Sequence, residues 1–384
     1  MKADIEKSYL RNVSNGRCRD TARKYLRALK AKGRKKSTRE HNAKVLRDLS
    51  NYIDKPFEEA DKNDLENFFA DLQLAESTKN VYKGVVKTFY KWLEGNDETY
   101  PLKVRWILVR RIGRNLQSTD LLEPVEVKAM INACLNARNR AIVATLYESG
   151  LRLGEFLCLK IEDVKFKGGW ASIVLPKDAT NLKTGRRVIT IVDSVPYLQS
   201  WIEEHPFGED PKSPLWIPIQ GGAKKSKLEI SAFGRLIKKI VADAGIRKDV
   251  TPHLFRHTSA TEKARKGWNE ALMRQYFGWS KRSTMPSVYV HLAKADTENK
   301  VLEDAGLKEK ENAKERTLAP KQCPRCELQN EATGLFCSRC GSVLGIEEAT
   351  EAEKLIRIIE DEESMNRLAE ILAERVMQKV GDSS

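Results

Sequence analysis

No apolar run among the 384 residues approaches the ~20 needed to cross a bilayer, which excludes a helical membrane anchor. The opening MKADIEKSYL also lacks the apolar core of a secretory signal, so a cytoplasmic protein is the expectation. No internal repeat is apparent. Cysteines are few and unevenly placed: of seven, four form two CxxC pairs, while Cys18, Cys134 and Cys158 are scattered. That pattern fits a reducing compartment and a metal site better than a disulfide framework. Acidic side chains are in deficit, 54 against 68 Lys and Arg, leaving a net charge of +14. Residues 345–384 hold eleven acidic and five basic side chains, so this tail is −6 and residues 1–344 carry +20. A body this basic suits a partner of dense negative charge, nucleic acid foremost.

A chain of this length predicts two or three folded units. Residues 1–95 read as short helices with lysine-rich exteriors, beginning at Arg17–Lys32. Ser37-Thr-Arg-Glu40 has the form of a capping box, opening a helix with Val45, Leu46, Leu49 and Ile53 inward. Asp61–Leu72 fits a third helix, and Ser77–Leu93 a fourth with Val81, Val85, Val86, Phe89 and Trp92 buried. That fourth helix sets Lys79, Lys83, Lys87 and Lys91 at successive i, i+4 positions. Such a stripe either tracks a phosphate backbone or simply faces solvent.

Residues 96–118 read as a basic linker to a second body, 119–307. Its helical segments are Glu123–Asn136, Ala137–Ser149, one from Arg152 and one from Ser231. The β-rich runs Ala171–Leu175 and Arg187–Val192 flank a polar stretch with Lys183-Thr-Gly185, a hairpin signature. The fold class is therefore mainly α with a small antiparallel β-sheet, an α+β architecture. A charged linker (308–320), a cysteine cluster (321–344) and an acidic amphipathic helix (345–384) follow. Leu355, Ile358, Ile359, Met365, Leu368, Leu372 and Val376 give that last helix an apolar stripe too long to leave wet. A homotypic or regulatory contact is expected of it.

The reactive groups lie in the second body: Gly150-Leu-Arg-Leu-Gly-Glu155, Lys183, His253-Leu-Phe-Arg256, Gly278-Trp279 and Tyr289. Phosphodiester transfer needs positive charge on the non-bridging oxygens, and arginines supply it in planar, permanently charged form. Arg152 and Arg256 suit that role. A tyrosine hydroxyl, with a reference pKa of ~10, needs a proton acceptor or a strongly cationic site before it attacks. His253 or the arginines could provide it, and Lys183 on a hairpin can protonate a departing 5′ oxygen. His253 and Arg256, at i, i+3, share one helix face. Trp279 can donate one hydrogen bond but cannot shuttle a proton, which leaves it a positioning role.

The stretches SGLRLGEFLCLKIEDV, LKTGRRVITI, TPHLFRHTSATEKARKG and YFGWSKRSTMPSVYV resemble, in order, the catalytic domain of the tyrosine recombinases, or phage integrase family. The resemblance implies that Arg152, Lys183, His253, Arg256, Trp279 and Tyr289 are catalytic and that Glu155 supports them, with Trp279 where the family usually has histidine. STKNVYKGVVKTFYKWL resembles, less specifically, the family's core-binding domain, which implies that the two domains clamp duplex DNA. It also implies a 3′-phosphotyrosine intermediate with neither ATP nor a catalytic metal, and a homo-oligomer, a tetramer on two DNA sites. A non-cleaving DNA-binding regulator on the same fold and a type IB topoisomerase are the competing readings.

Cys323-Pro-Arg-Cys326 and Cys337-Ser-Arg-Cys340 supply four thiolates in two knuckle-like turns, a zinc-ribbon pattern. Four sulfurs close the coordination sphere, so the zinc they would hold is structural. A ribbon joined to this catalytic domain resembles archaeal-type integrases.

Overall fold

The computed structural model describes residues 5–110, 121–175, 187–219, 222–293, 302, 305 and 316–345. Lys183 and the acidic helix expected beyond residue 345 lie outside these. The chain divides into two compact units, Met1–Asn115 and Leu116–Ser384. No helix among the described residues is long and apolar enough to cross a membrane.

The first unit is helical: α1 (Ile5–Arg11), α2 (Gly16–Ala31), α3 (Lys36–Ile53), α4 (Lys62–Asp71), α5 (Glu76–Leu93) and α6 (Leu102–Arg105). Asn15 starts α2 by accepting from the Cys18 amide, and Asp61 and Asp64 form a reciprocal capping box on α4. The box expected at Ser37 is not formed. Helix α3 begins two residues earlier than that box requires, at Lys36, with no side-chain cap at Lys35. Ser37 therefore lies inside the first turn, where its hydroxyl cannot act as a cap, and Glu40 instead pairs with Lys36 at 3.7 Å. Leu46, Leu49, Phe57, Phe68, Val86 and Phe89 fill the core, where the ring of Phe89 meets Tyr25 and Phe57 edge-on at 5.2 and 4.9 Å. Val81, expected inside, is 47% exposed, and its neighbour Tyr82 is buried instead, donating to Asp48 at 2.7 Å.

The second unit is built around α8 (Ala137–Ser149), which is buried along nearly its whole length. Asn136 caps its start, accepting from the Asn139 amide at 3.0 Å, and Gly150 ends it in the left-handed region at φ 56°. Packed with it are α7 (Pro124–Asn132), α9 (Leu153–Phe156), α10 (Val195–Glu203), α11 (Ile230–Asp243) and α12 (Pro252–Arg265). Helices α13 (Glu270–Phe277) and α14 (Met285–Ala293) complete the body.

A three-stranded antiparallel meander runs β1 (Val164–Lys167), β2 (Trp170–Val174) and β3 (Val188–Ile191). Ile173 pairs with Val164 on one side and Ile189 on the other, while β3 alternates exposed Val188 and Thr190 with buried Ile189 and Ile191. This is the small antiparallel sheet of the expected α+β class; β1, whose VKFK exposes three of four residues, carried no clear strand pattern.

The cysteine segment forms a two-stranded hairpin, β4 (Lys321–Gln322) with β5 (Gln329–Asn330), and packs on this same body. Arg140 of α8 pairs with Glu331 at 3.0 Å, Tyr147 meets Thr317 at 3.0 Å, Arg316 pairs with Asp193 at 2.9 Å, and Leu318 enters the main core.

Gly150 admits no side chain: a Cβ there would stand 2.8 Å from Phe277 and 2.9 Å from Ser259, at a φ that L residues avoid. Gly150→Ala should therefore cost about 3 kcal/mol or more, combining left-handed strain with overpacking. Urea unfolding should show a lower midpoint at unchanged slope; a midpoint equal to wild type would contradict this geometry.

Candidate active site

Arg152 follows α8 after two residues, Gly150 and Leu151, and stands at the N-cap of α9. Glu155, one turn on and 1% exposed, accepts from the Arg152 backbone at 3.2 Å and from its Nη1 at 2.9 Å. Arg152 Nη2 donates to the Gly278 carbonyl at 2.9 Å. Arg256, from the second turn of α12, donates Nη1 to the Gly150 carbonyl at 2.8 Å and Nη2 to the Phe277 carbonyl at 2.6 Å. These carbonyls belong to the C-terminal ends of α8 and α13, where the helix dipole is negative and backbone acceptors lack intrahelical donors. Both helices end on left-handed glycines, Gly150 and Gly278.

A third guanidinium joins from the residue before β3: Arg187 Nη2 donates to Glu155 Oε2 at 2.8 Å. Among the described residues the ion pairs of this centre are Arg152–Glu155 and Arg187–Glu155, two cations on one carboxylate, with Arg256 beside them. Burial, then the charges of Arg152 and Arg187, presses the Arg256 guanidinium down to about 9, so it remains charged at neutral pH. The centre carries positive charge in excess, three arginines about one carboxylate.

Phe277, Trp279 and Tyr289 form a run of stacked rings, Trp279 lying 4.9 Å from Phe277 and 5.4 Å from Tyr289 between centroids. The Arg256 guanidinium carbon lies 5.3 Å from the Trp279 ring centre, so the indole links the arginines to the phenol. Tyr289 is 1% exposed, and burial pushes its hydroxyl up to about 12 against the opposing pull of Arg256. That hydroxyl hydrogen-bonds to His257 Nδ1. The histidine at the phenol is therefore His257, whereas His253, the sequence candidate for that place, is exposed one turn earlier on α12. The i, i+3 pairing of His253 with Arg256 carries no signal for His257, which projects about 100° round the helix from Arg256 and bonds to Tyr289 of α14. Arg187 was likewise missed, read only as a strand residue.

The lysine stripe of α5 is not an open solvated face. Lys79 pairs with Glu76 at 3.7 Å, Lys87 donates to the Ile107 carbonyl at 2.7 Å, and Lys87 and Lys91 lie over the Tyr100 ring at 5.0 and 5.1 Å. All four, Lys83 included, are half-buried, and the segment that follows α5 in the same unit meets Lys87 and Lys91.

The four cysteines converge. Cys323 and Cys340 sulfurs are 3.5 Å apart, as are those of Cys326 and Cys337, and all four lie within 4.8 Å of one another. Tetrahedral ligation with metal–sulfur bonds of ~2.3 Å places sulfurs about 3.8 Å apart, so the cluster fits a metal ion. The two knuckles repeat one geometry: the amides of Glu327 and Gly341 each bond to the carbonyl of the first cysteine of their pair at 2.9 Å, both at positive φ.

Fold and site together define a class: a helical protein whose second unit holds an arginine-lined anion centre beside a buried tyrosine. A sequence model of the Phage integrase family matches residues 120–296, and one of the phage integrase N-terminal SAM-like domain matches residues 22–99. Transposase A from transposon Tn554 of Staphylococcus aureus is 30% identical over 190 residues, 46% of this chain and 50% of its own length. The chain thus spans about half the length of that relative. A tyrosine recombinase of Thermosipho africanus is 28% identical over 65% of this chain and 87% of its own, and tyrosine recombinase XerA of Pyrococcus horikoshii 26% over 74% and 95%. Among solved structures, the Tn1549 transposon integrase in complex with transposon right end DNA aligns with TM-score 0.53 at 17% identity, over 74% of this chain and 99% of that one. The XerH site-specific recombinase bound to difH substrate gives 0.52 at 18%, over 71% and 81%. The chain belongs to the phage integrase family.

An excess of buried positive charge should bind a tetrahedral anion. Orthophosphate, at ionic strength matched with chloride, should raise Tm by about 2–4 °C, and Arg152→Gln should lose most of that rise. An equal rise in both proteins would place the anion elsewhere.

Proposed function

We propose that this chain is a site-specific tyrosine recombinase that cleaves and rejoins duplex DNA through a 3′-phosphotyrosine intermediate. The observation that carries the reading is the convergence of Arg152 and Arg256 on the carbonyl ends of α8 and α13, with Tyr289 stacked behind Trp279. Two fixed guanidiniums held this way match the non-bridging oxygens of a phosphodiester, where charge grows in the transition state.

In the reaction the Tyr289 oxygen forms a bond to phosphorus as the bond from phosphorus to the 5′ oxygen breaks. Lys183 gives that oxygen its proton, and Trp279 positions. His253 is assigned to the phosphate beside Arg256, while His257, bonded to the phenol, is the group placed to take its proton. The phosphodiester energy is retained in the tyrosyl ester, so rejoining by a partner 5′ hydroxyl needs neither ATP nor a catalytic metal. Because Tyr289 is buried with its hydroxyl raised to about 12, the phenol must leave its stacked position and meet the arginines before attack.

Double-stranded DNA is the substrate and partner, and a homo-oligomer, four protomers on two sites, is the proposed working assembly. Of the α5 lysines, Lys79 and Lys83 are the better placed to meet a phosphate backbone, since Lys87 and Lys91 are engaged with the Tyr100 region. The cytoplasm, with its reduced thiols, is the proposed location. The four cysteines are assigned one structural zinc ion per chain, fixing the 316–345 segment.

Tyr289→Phe should abolish the covalent adduct on a nicked suicide substrate while DNA affinity stays within about twofold. An adduct that persists in the variant would refute the assignment. A wild-type protein that binds but never links would point to a regulator, and one that only relaxes supercoils to a topoisomerase. Elemental analysis should find one zinc per chain, lost in Cys323→Ser together with a drop in Tm; a wild-type protein that folds without metal would end the zinc proposal.

A further inference from the structure

Arg187 is 6% exposed, and the reaction scheme above gives it no task. Its Nη2 donates to Glu155 Oε2 at 2.8 Å while Arg152 Nη1 donates to Glu155 Oε1 at 2.9 Å, so one buried carboxylate is divided between two arginines. The other two nitrogens of Arg187, Nε and Nη1, are buried without a hydrogen-bond partner. Its backbone carbonyl accepts from Leu175 at 2.9 Å, which fixes the residue at the foot of the hairpin whose sequence carries Lys183. Burial pulls the Arg187 guanidinium below its usual value and Glu155 pulls it back.

A half-satisfied buried cation is costly, and a neutral residue of similar volume would serve packing alone at least as well. The arrangement has a specific electrostatic consequence. Without Arg187, both oxygens of Glu155 would be left to Arg152 in a bidentate pair that neutralises it and draws it onto the carboxylate. With Arg187 holding one oxygen, Arg152 keeps one arm on Glu155 and the other on the Gly278 carbonyl.

We propose that Arg187 is a positioning residue for strand cleavage: by sharing Glu155 it leaves Arg152 oriented and net cationic toward the scissile phosphate. This rests on the recombinase reading, and the experiment separates the two. Single-turnover cleavage of a suicide substrate, DNA dissociation constants and Tm are measured for wild type, Arg187→Met, Arg187→Lys, Glu155→Gln and Arg187→Met/Glu155→Gln.

Arg187→Met should slow cleavage on the order of 100-fold with DNA affinity unchanged within about twofold, the scale of losing one preorganised donor. Arg187→Lys, which keeps the charge, should stay within roughly tenfold of wild type. In the double variant the uncompensated carboxylate is gone, so cleavage should recover at least about tenfold over Arg187→Met. That second-site rescue is a response a purely structural salt bridge would not give, since removing both partners would then leave the rate tracking Tm. A double variant no faster than Arg187→Met, or Arg187→Met at the wild-type rate, overturns the proposal. Should Arg187→Met fail to fold, the double variant and Arg187→Lys decide: cleavage more than about 100-fold below wild type in both overturns it, and retention within about tenfold in both supports it. A wild-type protein that forms no adduct instead removes the recombinase reading itself.

Discussion

The bonds from two arginines to helix-end carbonyls govern the second unit. Arg256 reaches the Gly150 carbonyl at the end of α8 and the Phe277 carbonyl at the end of α13, and Arg152 reaches Gly278 beside it. Helix C-termini leave acceptors without donors and carry partial negative charge, so each guanidinium satisfies a backbone requirement while its own charge is offset. The same bonds pin the guanidinium planes. Because α8 lies at the middle of the core and Gly150 tolerates no side chain, the position of these cations is set by the packing of the whole body and not by a surface loop. On the proposed reading, an anion centre built this way is organised before its ligand arrives, which is what electrostatic catalysis requires.

The phenol obeys the opposite logic. Tyr289 is held by Trp279 and His257, and its burial makes ionisation harder than in water. On the proposed chemistry the rigid half of the site is the cationic half and the half that must rearrange is the nucleophile. Helix α14 is a short element at the edge of the body, joined to α13 by a turn in which Arg274 holds the carbonyls of Ser280 and Ser283 at 3.0 and 2.8 Å. An arginine clasping loop carbonyls can be displaced at smaller cost than a core helix, so the nucleophile's movement need not disturb the arginines.

Motif spacing made Arg152, Glu155 and Arg256 readable in advance, because each is tied to a glycine, a helix start or a helical interval that one sequence displays. Strand pairing of 171–175 with 187–192 was legible for the same reason: its period of two is local. His257 and Arg187 were not, since their importance comes from partners 32 residues away in each case, Tyr289 and Glu155. For the lysines of α5 the spacing displays only part of their surroundings. Their i, i+4 spacing is genuine, yet Tyr100 and the Ile107 carbonyl come from a segment without periodicity, so nothing in the helix itself reveals that it is covered. Ser37 shows the limit of cap signatures: a two-residue shift in the start of α3 turns a capping residue into an ordinary first-turn residue.

The cysteine segment bears on the same helix as the arginines. Arg140 and Tyr147, two turns apart on α8, contact Glu331 and Thr317, while Leu318 is 1% exposed within the main core. Burial leaves the Glu331 carboxyl raised above its usual value even with Arg140 beside it, so the contact is partly dry and not a solvated surface bridge. A short two-stranded hairpin cannot hold such a contact by its own hydrophobic burial, having little core beyond the cysteines and Leu344. A metal joining its knuckles would supply that rigidity, and the surface it stiffens is the one pressed against α8. Held so, the segment would brace the second unit through α8.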